Sequence, residues 1–390
     1  MARAVGIGLV GMGWMGRVHS MSYRRVRDHY PDCAGVARLV VAADESEERA
    51  RQAVVEFGFE ESSADWHDVI EHPDVEAVSI TVPNRLHQEV ALAAVGLGKH
   101  IWIEKPVGRI PQETAEIASA VERAGARSIV GFNYRHTPAV QHARKLIESG
   151  TLGVIDHFRS QWVAAYAASP QGALTWRFRW DDAGLGILGD LGTHAFDLAQ
   201  FLLGPIVSVT ARTETVVAER PLPTEAGTHF AVVEGGELAP VENEDVVWSI
   251  VRFERGVTGT IEASRVAVGP QARYAFEVHG SRGAVAWDFE RMNELLVYLP
   301  LESGDAGYAR IVMGPEHPPF ARFQPGPGLS MGYDDLKVIE AALFLQCVVD
   351  GEQREPGVRE ALAAARVMAA MSRSAASGVW EPVGELSLPP

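Results

Sequence analysis

Gly11-Met12-Gly13-Trp14-Met15-Gly16 follows directly on the apolar run Val5–Val10 and leads into a helical pattern. No other feature constrains the fold as tightly. A strand that ends in G-x-G-x-x-G and opens a helix marks the start of a βαβ unit built to seat a dinucleotide. Gly11 serves the tight turn, Gly13 lets the backbone approach a pyrophosphate, and Gly16 lets the helix pack on the sheet. The helix N-terminus around Trp14 and Met15 adds free N–H groups and a positive dipole end, so both residues count as cofactor-binding candidates.

The pattern continues as expected for such a unit. Apolar runs at Arg38–Ala43, Ala77–Val82, His100–Ile103 and Arg127–Phe132 alternate with helical stretches at Glu45–Phe57, Leu86–Leu97 and Gln112–Ala124. Continuous rather than alternating apolar runs are the mark of strands buried on both faces. Residues 1–132 therefore read as a Rossmann domain, a doubly wound parallel sheet with right-handed crossovers. After a helix at Thr137–Gly150 the period changes. Ile206–Val217, Asp245–Phe253, Val257–Ser264, Tyr274–His279, Ala284–Phe289 and Leu295–Leu299 read as strands, with hairpin turns at Glu254-Arg255-Gly256 and Gly280-Ser281-Arg282-Gly283. Asp190–Leu203, Asp334–Val349 and Val358–Ala375 read as helices, and Gly314–Gly332 as a long ordered loop or lid. Residues 133–390 thus read as an α+β domain for substrate binding and oligomerisation, built on a large, mostly antiparallel open sheet.

Candidate chemistry sits at the carboxyl ends of the first-half strands, where a doubly wound sheet keeps its ligand crevice. Asp44 ends the second apolar run. A carboxylate there accepts from an adenosine ribose diol and repels a 2′-phosphate, and neither Glu45 nor Ser46 offers that phosphate a cation. NAD is therefore expected over NADP. Thr81, Pro83 and Asn84 end the next run and His87 follows; their place suits cofactor contact, and turn chemistry with an N-cap at Asn84 accounts for them equally well. Glu104-Lys105-Pro106 ends the run His100–Ile103, which puts a lysine where it faces a nicotinamide. In Gly189-Asp190-Leu191-Gly192-Thr193-His194, a helix starting at Asp190 places Asp190 and His194 on one face. Histidine suits a general base for alcohol oxidation because its pKa lies near neutrality. The competing reading makes Asp190 an N-cap and His194 a core histidine. Trp162, Tyr166, Trp176, Phe178 and Trp180 cluster before that helix, and Arg135 and Arg177 are candidates to bond hydroxyls.

Composition excludes several classes. A net charge of −16 leaves no basic footprint for nucleic acid. No apolar run approaches a membrane span, and the chain enters its first strand too soon for a leader peptide. Two cysteines make no disulfide framework, as expected in the cytoplasm. Single histidines such as His157, His229 and His317, without an H-E-x-x-H pattern, predict no metal site.

The Gly-rich βαβ start, Glu104-Lys105-Pro106 and Asp190-x-x-x-His194, in that order, resemble the glucose–fructose oxidoreductase / inositol dehydrogenase / MocA-like family over essentially the whole chain. Asn133-Tyr134-Arg135-His136-Thr137-Pro138-Ala139-Val140, Trp176-Arg177-Phe178, Phe276-Glu277-Val278-His279-Gly280, Gly332-Tyr333 and the insert Val233-Glu234-Gly235-Gly236-Glu237 resemble its levoglucosan dehydrogenase branch more closely. The resemblance implies an NAD-dependent dehydrogenase that oxidises a secondary hydroxyl of a sugar or cyclic polyol, levoglucosan-like or inositol-like. It implies that Lys105 bridges nicotinamide and substrate, that His194 takes the hydroxyl proton, and that Asp190 holds a neighbouring hydroxyl or tunes its neighbours. It places Glu104 near the nicotinamide ribose, implies a cis Lys105-Pro106 peptide, and puts Asn133, Tyr134, Arg135, Trp176 and Arg177 among substrate-binding residues. Whether Lys105 or His194 is the immediate proton acceptor stays open, as do a keto-sugar reductase and a non-catalytic sensor on the same fold. A homodimer or homotetramer through the second-domain sheet is expected, since the apparent helices are too few to cover both its faces.

Overall fold

The structure is a computed structural model, which describes residues 2–223, 232–233, 235–300 and 306–386. His229 and Glu234 of the glycine-rich insert lie outside the described residues. The chain forms two compact units. The first takes residues 2–133 and 332–362, the second 134–331 and 363–386.

In the first unit, six strands form a parallel sheet: β1 (Arg3–Val10), β2 (Gly35–Ala43), β3 (Glu61–Ser63), β4 (Ala77–Ile80), β5 (His100–Ile103) and β6 (Ser128–Val130). Their order is β3-β2-β1-β4-β5-β6, the doubly wound arrangement. The helices are α1 (Trp14–His29), α2 (Glu47–Gln52), α3 (His67–Glu71), α4 (His87–Gly96) and α5 (Pro111–Ala124). Val5, Ile7, Leu9, Val78, Ile80, Ile101 and Ile103 are fully buried, which is why these strands read as unbroken apolar runs. Strand β3 escapes the sequence because Glu-Ser-Ser has no apolar signal; it pairs with β2 in parallel. The stretch Glu45–Phe57 is not one α-helix: α2 passes into a π-helical turn at Ala53–Phe57 and stops at Gly58, whose φ is 84°.

The second unit contains α6 (Pro138–Glu148), β7 (Ile155–Val163), α7 (Trp180–Ala183), α8 (Thr193–Leu203), β8 (Ile206–Glu214), β9 (Glu219–Pro221), β10 (Leu238–Pro240), β11 (Val246–Phe253), β12 (Thr258–Ser264), β13 (Arg273–Gly280), β14 (Gly283–Asp288), β15 (Glu294–Tyr298) and β16 (Ala309–Val312). After these come α9 (Tyr333–Asp350), α10 (Val358–Ser377) and β17 (Glu381–Pro382). Nine strands make one sheet in the order β16-β15-β14-β13-β7-β12-β11-β8-β17. Its pairs are antiparallel except β7 with β12. Both expected hairpins are present, at β11–β12 and β13–β14. The central strand β7 was not legible, because Ile-Asp-His-Phe-Arg-Ser-Gln-Trp-Val alternates too weakly. Helices α6 and α8 pack on one face of the sheet. On β11 the burial alternates, so Trp248 and Ile250, each 43% exposed, face the other way.

The helix α9 belongs with the first unit. It packs beside α1 and against β1, β2 and β6. Asp335 in its first turn accepts the Gly332 N–H at 2.8 Å and pairs with Arg25 of α1 at 2.6 Å.

Candidate active site

The turn after β1 has the geometry its glycines require. Gly11 has φ of 97°, in the left-handed region, and its N–H donates to the Ala43 carbonyl at 2.8 Å. A Cβ on Gly16 would fall 2.0 Å from the Gly11 carbonyl oxygen, so only glycine lets α1 begin this close to the turn. A Cβ on Gly13 would meet nothing within 4 Å. The backbone therefore faces open space at the start of a helix that carries no side-chain cap, the cradle a pyrophosphate fills. Thr81 closes the turn from the other side: its hydroxyl donates to the Gly11 carbonyl at 2.6 Å. Trp14 is exposed at the first position of α1 and stacks on Tyr333 at 5.8 Å, and the Tyr333 hydroxyl reaches Met15 Sδ at 3.9 Å.

Asp44 is buried beside this turn. Its Oδ2 accepts the Met12 N–H at 2.7 Å, and its Oδ1 accepts the Ser46 N–H at 2.9 Å. Arg49 Nε also donates to Oδ1 at 2.9 Å. Arg49, about one helical turn beyond Ser46, is a cation that inspection of Glu45 and Ser46 alone does not find. Pairing with Asp44 raises its pKa.

Pro83 and Asn84 open a short 3₁₀ turn, Asn84–Leu86, ahead of α4. His87 is buried with Nδ1 2.8 Å from the Pro106 carbonyl oxygen and Nε2 2.9 Å from that of Val82. Burial lowers its pKa, and the hydrogen bonds to the two carbonyls pull the other way. Its role is thus to tie the Lys105-Pro106 segment to the turn after β4. The Lys105-Pro106 peptide is cis. Lys105 is half-buried, directly beyond β5. Glu104, its neighbour, is buried, with Oε1 3.1 Å from His19 Nε2 and 2.5 Å from Lys337 Nζ. Burial alone would raise its pKa, but the Lys337 ammonium and the His19 hydrogen bond outweigh that and hold the carboxyl below the usual range.

In the second unit, Asp190 lies in a π-helical turn, Leu188–Gly192, and α8 begins only at Thr193. Helical backbone therefore begins ahead of Asp190, which lies inside the wide turn that runs straight into α8 and does not cap the helix. Wide turns of this kind recur at functional sites because they redirect a side chain. The Tyr166 hydroxyl donates to Asp190 Oδ2. Burial, with the Asp190 charge adding to it, raises the Tyr166 pKa far above its ordinary value, so the phenol stays protonated and the carboxylate accepts. His194 is buried; Tyr134 packs edge-on to its ring at 4.8 Å, and Tyr274 donates to its carbonyl at 2.7 Å. Tyr134 also packs edge-on to Trp162, Tyr274 and Phe289.

The remaining candidates separate. Asn133 is buried, and neither its amide nitrogen nor its oxygen meets a hydrogen-bond partner among the described residues. A buried amide in that state is one a bound polar molecule can satisfy. Arg135 is instead taken up by Asp197 through two bonds of 2.7 and 2.6 Å, with its guanidinium over Phe201. Arg177 lies over the Trp176 ring at 4.3 Å, both half-buried. Phe178 is core, packed with Ala167, Leu174 and Val241. Sequence reasoning missed Tyr166 as the Asp190 partner, and Lys337 and His19 as partners of Glu104. Only Tyr166 lay in a stretch already flagged, as one of several aromatics. Among the described residues, no group of His, Cys, Asp or Glu is placed to hold a metal ion, and no helix is long and apolar enough to cross a membrane. Cys33 and Cys347 are both buried.

Comparison with known proteins matches residues 5–132 to the "Oxidoreductase family, NAD-binding Rossmann fold" and residues 140–286 to the "GFO/IDH/MocA C-terminal domain". The chain is 37% identical over 384 residues to levoglucosan dehydrogenase of Pseudarthrobacter phenanthrenivorans, covering 98% of both chains. This chain belongs to the GFO/IDH/MocA family. It is 28% identical to inositol 2-dehydrogenase of Rhizobium meliloti over 95% of this chain and 97% of that one. A solved structure of levoglucosan dehydrogenase with NADH and levoglucosan superposes with a TM-score of 0.92 at 35% identity, covering 98% of this chain and all of that one. The first unit is an NAD-binding Rossmann domain, and the open turn at Gly13 beside Asp44 fits that cofactor. The chain is an oxidoreductase of that family.

Proposed function

We propose that this protein oxidises a secondary hydroxyl of a sugar or cyclic polyol with NAD, with levoglucosan or a close relative as the leading substrate. The observation that carries the reading is the 37% identity to levoglucosan dehydrogenase across 98% of both chains. Lys105, Asp190 and His194, the residues the family resemblance casts in the proton-handling roles, support it, together with a glycine turn open to a dinucleotide. Bound NAD supplies the hydride acceptor.

The chain's own residues do the rest. The turn at Gly11–Gly13 and the N-terminus of α1 hold the pyrophosphate, and Asp44 the adenosine ribose. Lys105 orients the reacting hydroxyl. His194 accepts its proton, an imidazole being matched to that transfer near neutral pH. Asp190, which accepts from the Tyr166 hydroxyl, holds a neighbouring hydroxyl. Asn133 offers a donor and an acceptor to the same ring. A site that bonds several hydroxyls rejects analogues lacking them, because its polar groups would be left unpaired.

The test follows absorbance near 340 nm with NAD and a panel of levoglucosan, inositols, glucose and simple alcohols. Turnover of sugars or cyclitols well above simple alcohols is expected. A simple alcohol turning over fastest, or no turnover of any polyol, overturns the reading.

A further inference from the structure

The helix α9 lies more than two hundred residues beyond Glu104, yet it carries a polar stripe into the first unit. Tyr333, Lys337 and Glu340 are spaced i, i+4, i+7 and share one face. Tyr333 covers Trp14 at the head of α1. Lys337 is fully buried between two carboxylates, 2.5 Å from Glu104 Oε1 and 2.9 Å from Glu340 Oε2. The two acids differ. Burial raises the Glu340 carboxyl, whereas the lysine and the His19 contact keep Glu104 ionised. Burial would lower the Lys337 pKa, but the carboxylates outweigh it and raise it. Of the two contacts the one to Glu104 is the shorter, and it ties α9 to the end of β5.

Glu104 has little room to move. His19 reaches Glu104 through Nε2 and Ser79 Oγ through Nδ1 at 3.3 Å, while its ring lies flat on Trp102 at 3.5 Å. Tyr23 completes the chain with a 2.9 Å bond to the same Ser79 hydroxyl. A Cβ on Gly131 would come within 2.5 Å of the Glu104 carboxylate, so the acid fills the space beside that glycine. The Glu104 N–H donates to the Ile80 carbonyl at 3.0 Å. Two residues on, His87 grips the Pro106 carbonyl. The segment is therefore held on both sides of Lys105.

We propose that Lys337 is a positioning residue for this segment: by pairing with Glu104 in a dry pocket it fixes the backbone from which Lys105 projects beside the nicotinamide. The inference rests on the dehydrogenase reading for the role of Lys105, but not for NAD binding.

The test compares Lys337→Met, Glu104→Gln and the double variant by apoprotein melting, NADH fluorescence titration and kcat across pH. Lys337→Met is expected to lower kcat at least tenfold and to weaken NADH binding at least threefold in protein that remains folded. It should also move the acid limb of the pH profile upward, because Glu104 without its ammonium takes up a proton. The double variant should be no worse than the worse single, since both changes remove the same pair. If Lys337→Met matches wild type within twofold in kcat and NADH affinity, or if the two effects simply multiply, the proposal fails. Should Lys337→Met not fold, the double variant removes both charges of the pair and carries the test; wild-type kcat and NADH affinity there would overturn the proposal. Should wild type oxidise no polyol, the substrate reading fails by itself, while the NADH and melting arms still judge Lys337.

Discussion

Asp44→Asn should loosen the preference for NAD, and the local geometry sets how far. The carboxylate does three things at once: it accepts the buried Met12 N–H, accepts the Ser46 N–H, and pairs with Arg49. Asparagine keeps an acceptor oxygen but not the charge, so one of these bonds is lost or weakened. Leaving a buried donor unpaired costs about 1–3 kcal/mol, which predicts apoprotein that melts a few degrees lower. For the cofactor the sign differs between the two forms. A ribose diol loses a charged acceptor, worth about 1.5–3 kcal/mol as a hydrogen bond to a charged group, so NADH affinity falls about tenfold or more. A 2′-phosphate is relieved of a repulsion of about 1–3 kcal/mol per unit charge at 5 Å, taking an effective dielectric between 20 and 80. It also finds Arg49 released from its partner. The ratio of NADPH to NADH dissociation constants should therefore fall at least tenfold, and about a hundredfold if both terms act. Fluorescence titration with both reduced cofactors reads that ratio directly. A ratio within threefold of wild type, in protein that has lost the expected stability, would show that Asp44 supports the glycine turn and does not read the ribose. Asp44→Asn with Arg49→Ala then separates the two contributions, since removing the cation should reverse the gain for NADPH alone.

Lys105→Ala and His194→Ala should each cut turnover by roughly 10²–10⁴-fold while NADH affinity stays within a few-fold, as for loss of a positioned acid or base; near wild-type turnover would unseat the residue concerned. Tyr166→Phe leaves Asp190 without its phenol donor and should raise the KM of the sugar more than it lowers kcat, as steady-state kinetics would read. His19 stays neutral in the fold down to about pH 4, burial being the main cause, while its ordinary value is 6.5. Its folded pKa is depressed, so its contribution is complete above pH 6.5 and is lost on acidification through that window, at up to ~1.4 kcal/mol per pH unit. The melting temperature of His19→Gln should accordingly fall less steeply than wild type between pH 6.5 and 4. Trp248→Glu on the open face of the second-unit sheet should reduce the mass seen by light scattering if that face joins two copies of the chain; a wild-type monomer at micromolar concentration would refute the expectation outright.

Most of the first unit's architecture is local in origin, and so it was readable. The central strands are unbroken apolar runs, helical stretches separate them, and the glycine turn opens the first βαβ unit. Glu104-Lys105-Pro106 could be placed for the same reason, because it directly follows a strand the pattern defines. What the sequence did not display depends on contacts between residues far apart in the chain. Strand β3 has no apolar signature and pairs with β2 in parallel, and β7 is central only because β12 and β13 flank it. The π-helical turn at Asp190 is a hydrogen-bonding register that residue types do not encode locally. Arg135 read as a candidate to bond hydroxyls, and nothing local pointed to Asp197 as its partner. Above all, α9 carries no local sign of its partners, being buried on nearly every side with no single apolar stripe. Only its packing beside α1 makes Lys337 the counter-charge of Glu104, because a buried carboxylate needs a partner and chain distance has no bearing on which one it finds.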